Sequence, residues 1–110
     1  MKRKEYIGVR EAIANQFILR NRVYIREVNE NRSTCGIYAL PHVNRHSPDG
    51  FGWGYNGSGP SDLALSILTD LIGLERAEAR YMEFRNSVIA LLPEDGFRIP
   101  EESIRIWLGE

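Results

Sequence analysis

The chain has 110 residues, 43% of them apolar and 26% charged, with a formal net charge of -1 at pH 7. That composition excludes an intrinsically disordered chain, and a dedicated nucleic-acid binder is usually far more basic, so a nucleic-acid partner is not expected. The single cysteine, Cys35, leaves no intrachain disulfide and no cysteine-rich zinc site.

One domain over residues 1–110 is expected from the length. No stretch approaches the ~20 apolar residues of a membrane helix. Met1-Lys2-Arg3-Lys4-Glu5 has no apolar run behind it, so no secretory signal is read and a cytoplasmic location is expected. The basic tip Lys2-Arg3-Lys4 reads as a frayed terminus.

The pattern changes near residue 60. Before it the residues are β-prone. Tyr6-Ile7-Gly8-Val9 predicts a short strand. Glu11 to Gln16 is ambiguous and fits one helical turn. Phe17-Ile18-Leu19 precedes Asn21, and Arg22 to Val28 partly alternates, as a half-buried strand does. Asn29 to Ser33 is a polar turn, and Cys35 to Leu40 is the returning strand of a hairpin.

From Pro60 the period is helical. Leu63/Ala64, Ile67/Leu68 and Leu71/Ile72 recur every four residues as one apolar stripe. Pro60 suits the first turn, Asp62 there complements the helix dipole, and Gly73 is the stop. A second helix is predicted over Glu75 to Leu92, with Ala77, Tyr81, Phe84, Val88, Leu91 and Leu92 on one face. Phe97-Arg98-Ile99 is extended. Pro100-Glu101-Glu102 opens a last short helix with Ile104, Trp107 and Leu108 inward. The fold class that follows is α+β: a small antiparallel sheet in the N-terminal half packed against two to three C-terminal helices.

Residues 46–62 carry the densest signal. Glycines fall at 50, 52, 54, 57 and 59, alternating at first with Phe51, Trp53 and Tyr55. An extended segment puts the three rings on one side and the glycines on the other. One reading is an anion site. Amides of Gly57, Ser58 and Gly59 at a helix start would hold a phosphate or carboxylate, Trp53 or Tyr55 would stack on a base, and Arg20, Arg22 or Arg45 would supply charge. No lysine follows the glycines as in a nucleoside-triphosphate loop, and Pro60 removes a donor. The other reading is a structural strand-to-helix corner with Trp53 as core.

At these residues the sequence resembles a small bacterial and phage family catalogued only as a domain of unknown function. The match is Trp53-Gly54-Tyr55-Asn56-Gly57-Ser58-Gly59-Pro60, followed by Asp62-Leu63-Ala64-Leu65. His46-Ser47-Pro48-Asp49-Gly50-Phe51, the opening Tyr6-Ile7-Gly8 and the late Phe84-Arg85 and Trp107-Leu108 also fit. The resemblance implies an accessory role in phage or mobile elements and imports no activity.

The remaining candidates are weaker. His42 and His46 have the i, i+4 spacing of two metal ligands, but Pro41 and Pro48 argue against a helix between them, so no metal is expected. Cys35 lies in an apolar run, where a small buried residue is the common role. Cys35 with His46 has no local signature of a nucleophile and base. Gly57-Ser58-Gly59 is too tight for a hydrolase elbow. Glu94-Asp95 and Glu101-Glu102 fit a turn and a helix start. No acid, base and nucleophile converge, so no catalytic residue and no cofactor is assigned. Arg20, Arg22 and Arg26 would share one face of a continuous strand.

Residues 1–50 hold nine Lys/Arg against five Asp/Glu, and residues 51–110 hold five against ten. Such asymmetry can steer an anionic partner to one part of a molecule; the competing reading is that the two halves pack together and the charges are simply solvated. The expectation is a non-enzymatic binding or accessory protein for an anionic small molecule or nucleotide at the Gly-aromatic loop. The alternative is a protein–protein module, a homodimer or a factor binding a host protein, with that loop purely structural.

Overall fold

The computed structural model describes residues 2–12 and 19–110. Three strands come first, β1 (Arg3–Ala12), β2 (Leu19–Val28) and β3 (Thr34–Ala39). Helices α1 (Ser58–Ile72) and α2 (Leu74–Ser87) follow, then β4 (Gly96–Pro100) and α3 (Glu101–Leu108). The strands form one antiparallel sheet in the order β3-β2-β1-β4. The fold is α+β.

Register decides which side of the sheet becomes core. Tyr6 of β1 lies opposite Ile25 of β2 and Ile99 of β4, and Gly8 lies opposite Val23 and Phe97. Directly opposed residues share a face. Tyr6, Val23, Ile25 and Ile99 therefore sink together into one cluster with Leu63, Ile67, Phe84 and Ile104. The Phe97 ring lies where a Gly8 Cβ would project, so only glycine admits it there.

β1 is longer than its apolar centre predicts. Arg3 and Lys4 belong to it, so the basic tip is not frayed at those residues. Lys4 Nζ and the Tyr6 hydroxyl both donate to Asp70 Oδ2 of α1, at 3.1 and 2.6 Å. Burial and then Asp70 push the Tyr6 hydroxyl above its ordinary value, so it stays a donor. Glu11 and Ala12 are strand, not the start of a helical turn. The rest of that expected turn, and Phe17-Ile18, lie outside the described residues.

α1 begins at Ser58, two residues before Pro60. That start moves Asp62 out of the first turn, so it is not a dipole-complementing residue. The helix is buried from Gly59 to Leu68 on every side, more than its stripe predicts.

The second predicted helix is broken. α2 ends at Ser87, and a single 3-10 turn, Ile89–Leu91, follows after Val88. The break turns Ile89 into the core, fully buried, and leaves Leu91 75% exposed instead of inward. In α3, Ile104 is buried as expected, and Trp107 and Leu108 are half-buried against the same cluster.

Candidate functional site

The Gly-aromatic segment packs on itself. Trp53 is 3% exposed, its Nε1 donates to the Glu94 carbonyl at 3.1 Å, and its ring meets Phe97 edge-on at 5.0 Å. A ring so enclosed offers no face for stacking. Tyr55 is half exposed, but it folds back over its own glycines: Gly52, Gly57 and Gly59 all have Tyr55 atoms near where a Cβ would stand. Gly54 takes φ +83°, with the Leu92 carbonyl 2.9 Å from where a Cβ would project. Glycine alone reaches that conformation without strain.

Gly59 carries the closest backbone crossing. A Cβ there would stand 2.9 Å from the Gly52 amide nitrogen and 3.2 Å from its Cα. Neither neighbour is a side chain that can swing away. Gly59→Ala is expected to cost about 1–3 kcal/mol through overpacking, read as a lower urea midpoint with an unchanged slope. The Gly57 carbonyl accepts from both the amide and the hydroxyl of Ser61, at 3.0 and 2.7 Å, and Arg85 Nη1 donates to that hydroxyl at 2.8 Å. These contacts make residues 52–61 a loop-to-helix corner, since no strand leads into α1.

Asp62 is the hub beneath the neighbouring loop. Its side chain has no exposed surface. Its carboxylate accepts the backbone N–H groups of Arg45, His46 and Ser47, at 3.2, 2.9 and 3.0 Å. His42 Nε2 completes the set at 2.8 Å. An ionised carboxylate only accepts, so Nε2 carries the proton here. Burial alone would raise the Asp62 carboxyl. His42 and the three amides outweigh it and hold it below the ordinary aspartate value. The sequence reading missed this role, although a carboxylate set inside Leu63-Ala64-Leu65-Ser66-Ile67-Leu68 was its signal.

Above this loop lies a cleft of about 670 Å³ between the start of β2 and residues 39–51, lined by Arg10, Arg20, Arg22, Tyr24, His42 and Phe51 among others. Its size is that of a small-ligand pocket. The His42 and Phe51 rings lie against each other at 4.5 Å. Asp49 is an acid on its wall. Arg10 and Arg20 form no ion pair among the described residues. Arg22 is partly exposed and ion-paired with Glu11 at 3.7 Å; its Nε is buried and has no hydrogen-bond acceptor among the described residues.

The predicted site residues thus divide. Arg20 and Arg22 meet in the cleft, with Gly50 and Phe51 from the front of the glycine segment. Trp53, Tyr55, Gly57, Ser58 and Gly59 do not line it. Neither does Arg45, which is committed to Glu78 at 3.1 Å on the helical side. Arg10 and His42 join instead. His42 and His46 diverge, the first to Asp62 and the second to the Tyr81 hydroxyl at 2.9 Å. Among the described residues no three His, Cys, Asp or Glu side chains gather as a metal site. Cys35 is exposed at the edge of the sheet, not buried, with Sγ 3.4 Å from the Glu27 carbonyl.

Fold and cleft together define a small α+β protein with an arginine-lined hollow beside an exposed sheet. Residues 6–110 match a family of unknown function, DUF6166, and the chain belongs to that family. No curated protein and no solved structure matches it. Among the described residues no helix is long and apolar enough to cross a membrane.

Proposed function

We propose that the chain is a non-enzymatic binding protein of bacterial or phage origin that takes an anionic small molecule of nucleotide size in the cleft beside Arg20, Arg22 and His42. It acts in the cytoplasm, in an accessory role. The observation that carries this reading is the gathering of Arg10, Arg20 and Arg22 at one cleft, where Arg10 and Arg20 form no ion pair among the described residues and Arg22 meets only Glu11, at 3.7 Å. Guanidinium groups gathered at one hollow bind an oxyanion through paired N–H donors. Phe51, with the His42 ring tilted against it, gives an aromatic side to the cleft against which a base or aromatic acid packs. The Gly-aromatic segment serves this site only as the frame that sets Gly50 and Phe51.

The test is a thermal-shift panel of nucleoside mono- and diphosphates, cyclic nucleotides and inorganic phosphate. A ligand at 100 times its Kd stabilises the fold by roughly 2.7 kcal/mol, several degrees for a domain of this size. The expected result is such a shift, lost in Arg20→Ala/Arg22→Ala with the circular dichroism spectrum unchanged. A panel with no shift from any compound overturns the reading.

A second reading, the protein–protein module, is favoured by three exposed apolar side chains, Ile37 at 63% and Leu91 and Ile106 at 75%. It predicts a mass that rises with concentration in sedimentation, or a partner held through Ile37.

A further inference from the structure

We propose that the cleft is one end of a track for single-stranded nucleic acid, which crosses the open face of the sheet to a second basic cleft at the other end. The proposal rests on the anion-binding reading above and extends it to a polymer.

The register defines the face. Opposite the core side, β1 presents Arg3, Glu5, Ile7, Val9 and Glu11, and β2 presents Arg20, Arg22, Tyr24, Arg26 and Val28. β4 adds Arg98 opposite Ile7. Residues buried in the core lie on the other pleat, and α1 meets the sheet there through Asp70. The open face therefore holds five arginines against two glutamates. Glu102 of α3 also reaches this side, paired to Arg3 at 2.5 Å.

The arginines gather at two ends. Arg20 and Arg22 flank the first cleft. The second, of about 750 Å³, is lined by Arg26 and Arg98 at Glu5, by Arg3 paired to Glu102, and by Arg32, with Glu30 also on its wall. Glu5 is only 9% exposed and holds two guanidiniums side by side: Arg26 Nε donates to it at 2.9 Å and Arg98 Nη2 lies 2.6 Å away. One carboxylate against two arginines leaves a positive pair with N–H groups to spare. Arg32 sits in the turn after β2 with φ +63°, an uncommon conformation for a side-chain-bearing residue, and forms no ion pair among the described residues.

Ile7, Val9 and Tyr24 lie between the two ends, apolar and aromatic surface suited to bases. Arg26 stands six residue steps along β2 from Arg20, roughly 20 Å at strand spacing. A single nucleotide does not span that distance, whereas an oligonucleotide does. The cations on this face are arginines, which grip phosphate with two hydrogen bonds. A second copy laid face to face would oppose two positive surfaces. An acidic peptide would satisfy the arginines but not the ring between them.

Fluorescence anisotropy with labelled thymidylate oligomers tests the track, using a dinucleotide and a fifteen-nucleotide strand. The longer strand is expected to bind at least ~10-fold more tightly and to weaken steeply with salt. Arg32→Ala/Arg98→Ala, both at exposed side chains, is expected to lower its affinity by ~10-fold and to leave the dinucleotide unchanged. Arg32→Ala alone, away from the Glu5 pair, should show part of that loss if the double variant folds poorly. Equal affinity for the two lengths, or no effect of the second-cleft variants, overturns the track and leaves the small-molecule cleft standing. No binding of either strand, with no shift in the nucleotide panel, overturns both. Polyglutamate binding as tightly as the long strand, with the same variant losses, replaces nucleic acid by an acidic protein and overturns the proposal.

Discussion

Asp62→Ala is expected to destabilise the fold by about 3–5 kcal/mol in urea unfolding at neutral pH. The carboxylate has no exposed surface and serves four donors, three of them backbone amides of residues 45–47. Alanine leaves those donors without an acceptor, and each buried orphan costs about 1–3 kcal/mol before the loop relaxes toward water. Asp62→Asn is the milder variant. It keeps one acceptor oxygen but turns an NH₂ toward donors, so about half the loss is expected. The pH dependence gives a second readout. The native Asp62 carboxyl lies below its ordinary value of 3.8. A depressed native pKa means stability that is complete above about pH 5 and is lost as pH falls below 4 through the native value. Asp62→Asn should therefore flatten the acid limb of the stability curve. An Asp62→Ala cost under ~1 kcal/mol, with the acid limb unchanged, would remove Asp62 from its place as the loop's hub.

Trp53→Ala is expected to cost about 3–5 kcal/mol, which for this size is a fall in Tm of roughly 15–25 °C. The variant opens a cavity beside Phe97 and frees the Glu94 carbonyl. Phe97 in turn lies across Gly8, so the loss reaches the centre of the sheet. Trp53→Phe keeps an aromatic edge on Phe97 and gives up the Nε1 bond, for about 1–2 kcal/mol. Circular dichroism reads both, since Trp107 still fluoresces in either variant. A ligand-stacking tryptophan would behave differently: its loss would remove binding and leave the midpoint nearly unchanged. The enclosed ring predicts the first pattern.

Much of the fold was legible because the relevant forces are local. The four-residue recurrence from Leu63 to Ile72 demands a helix, and the apolar centres of β1 and β2 demand strands. Glycine alternating with Phe51, Trp53 and Tyr55 announced a crowded backbone, and Gly59 against Gly52 is that crowding. The break after Ser87 was not legible, because Val88 and Ile89 suit a helix as well as a 3-10 turn. What decides it is the core position that Ile89 fills.

The candidate site was only half readable. Even spacing placed Arg20, Arg22 and Arg26 on one face, but periodicity does not say whether that face is covered. The answer depends on which side of the sheet the helices take, and β4 settles it by pairing with β1 across most of the chain. Asp62 shows the same limit. Its residue type and helical position are in the sequence, yet its partners lie 15 to 20 residues earlier in a loop without regular structure. From neighbours a few residues apart follow the α+β class and the helical stripe, while the glycine segment stayed open between an anion site and a structural corner. Only the tertiary structure decided that Trp53 is core, that Asp62 ties down residues 42–47, and that the arginines remain on an open face. Those outcomes depend on which distant surfaces meet, and a local pattern of apolar and polar residues carries no record of that.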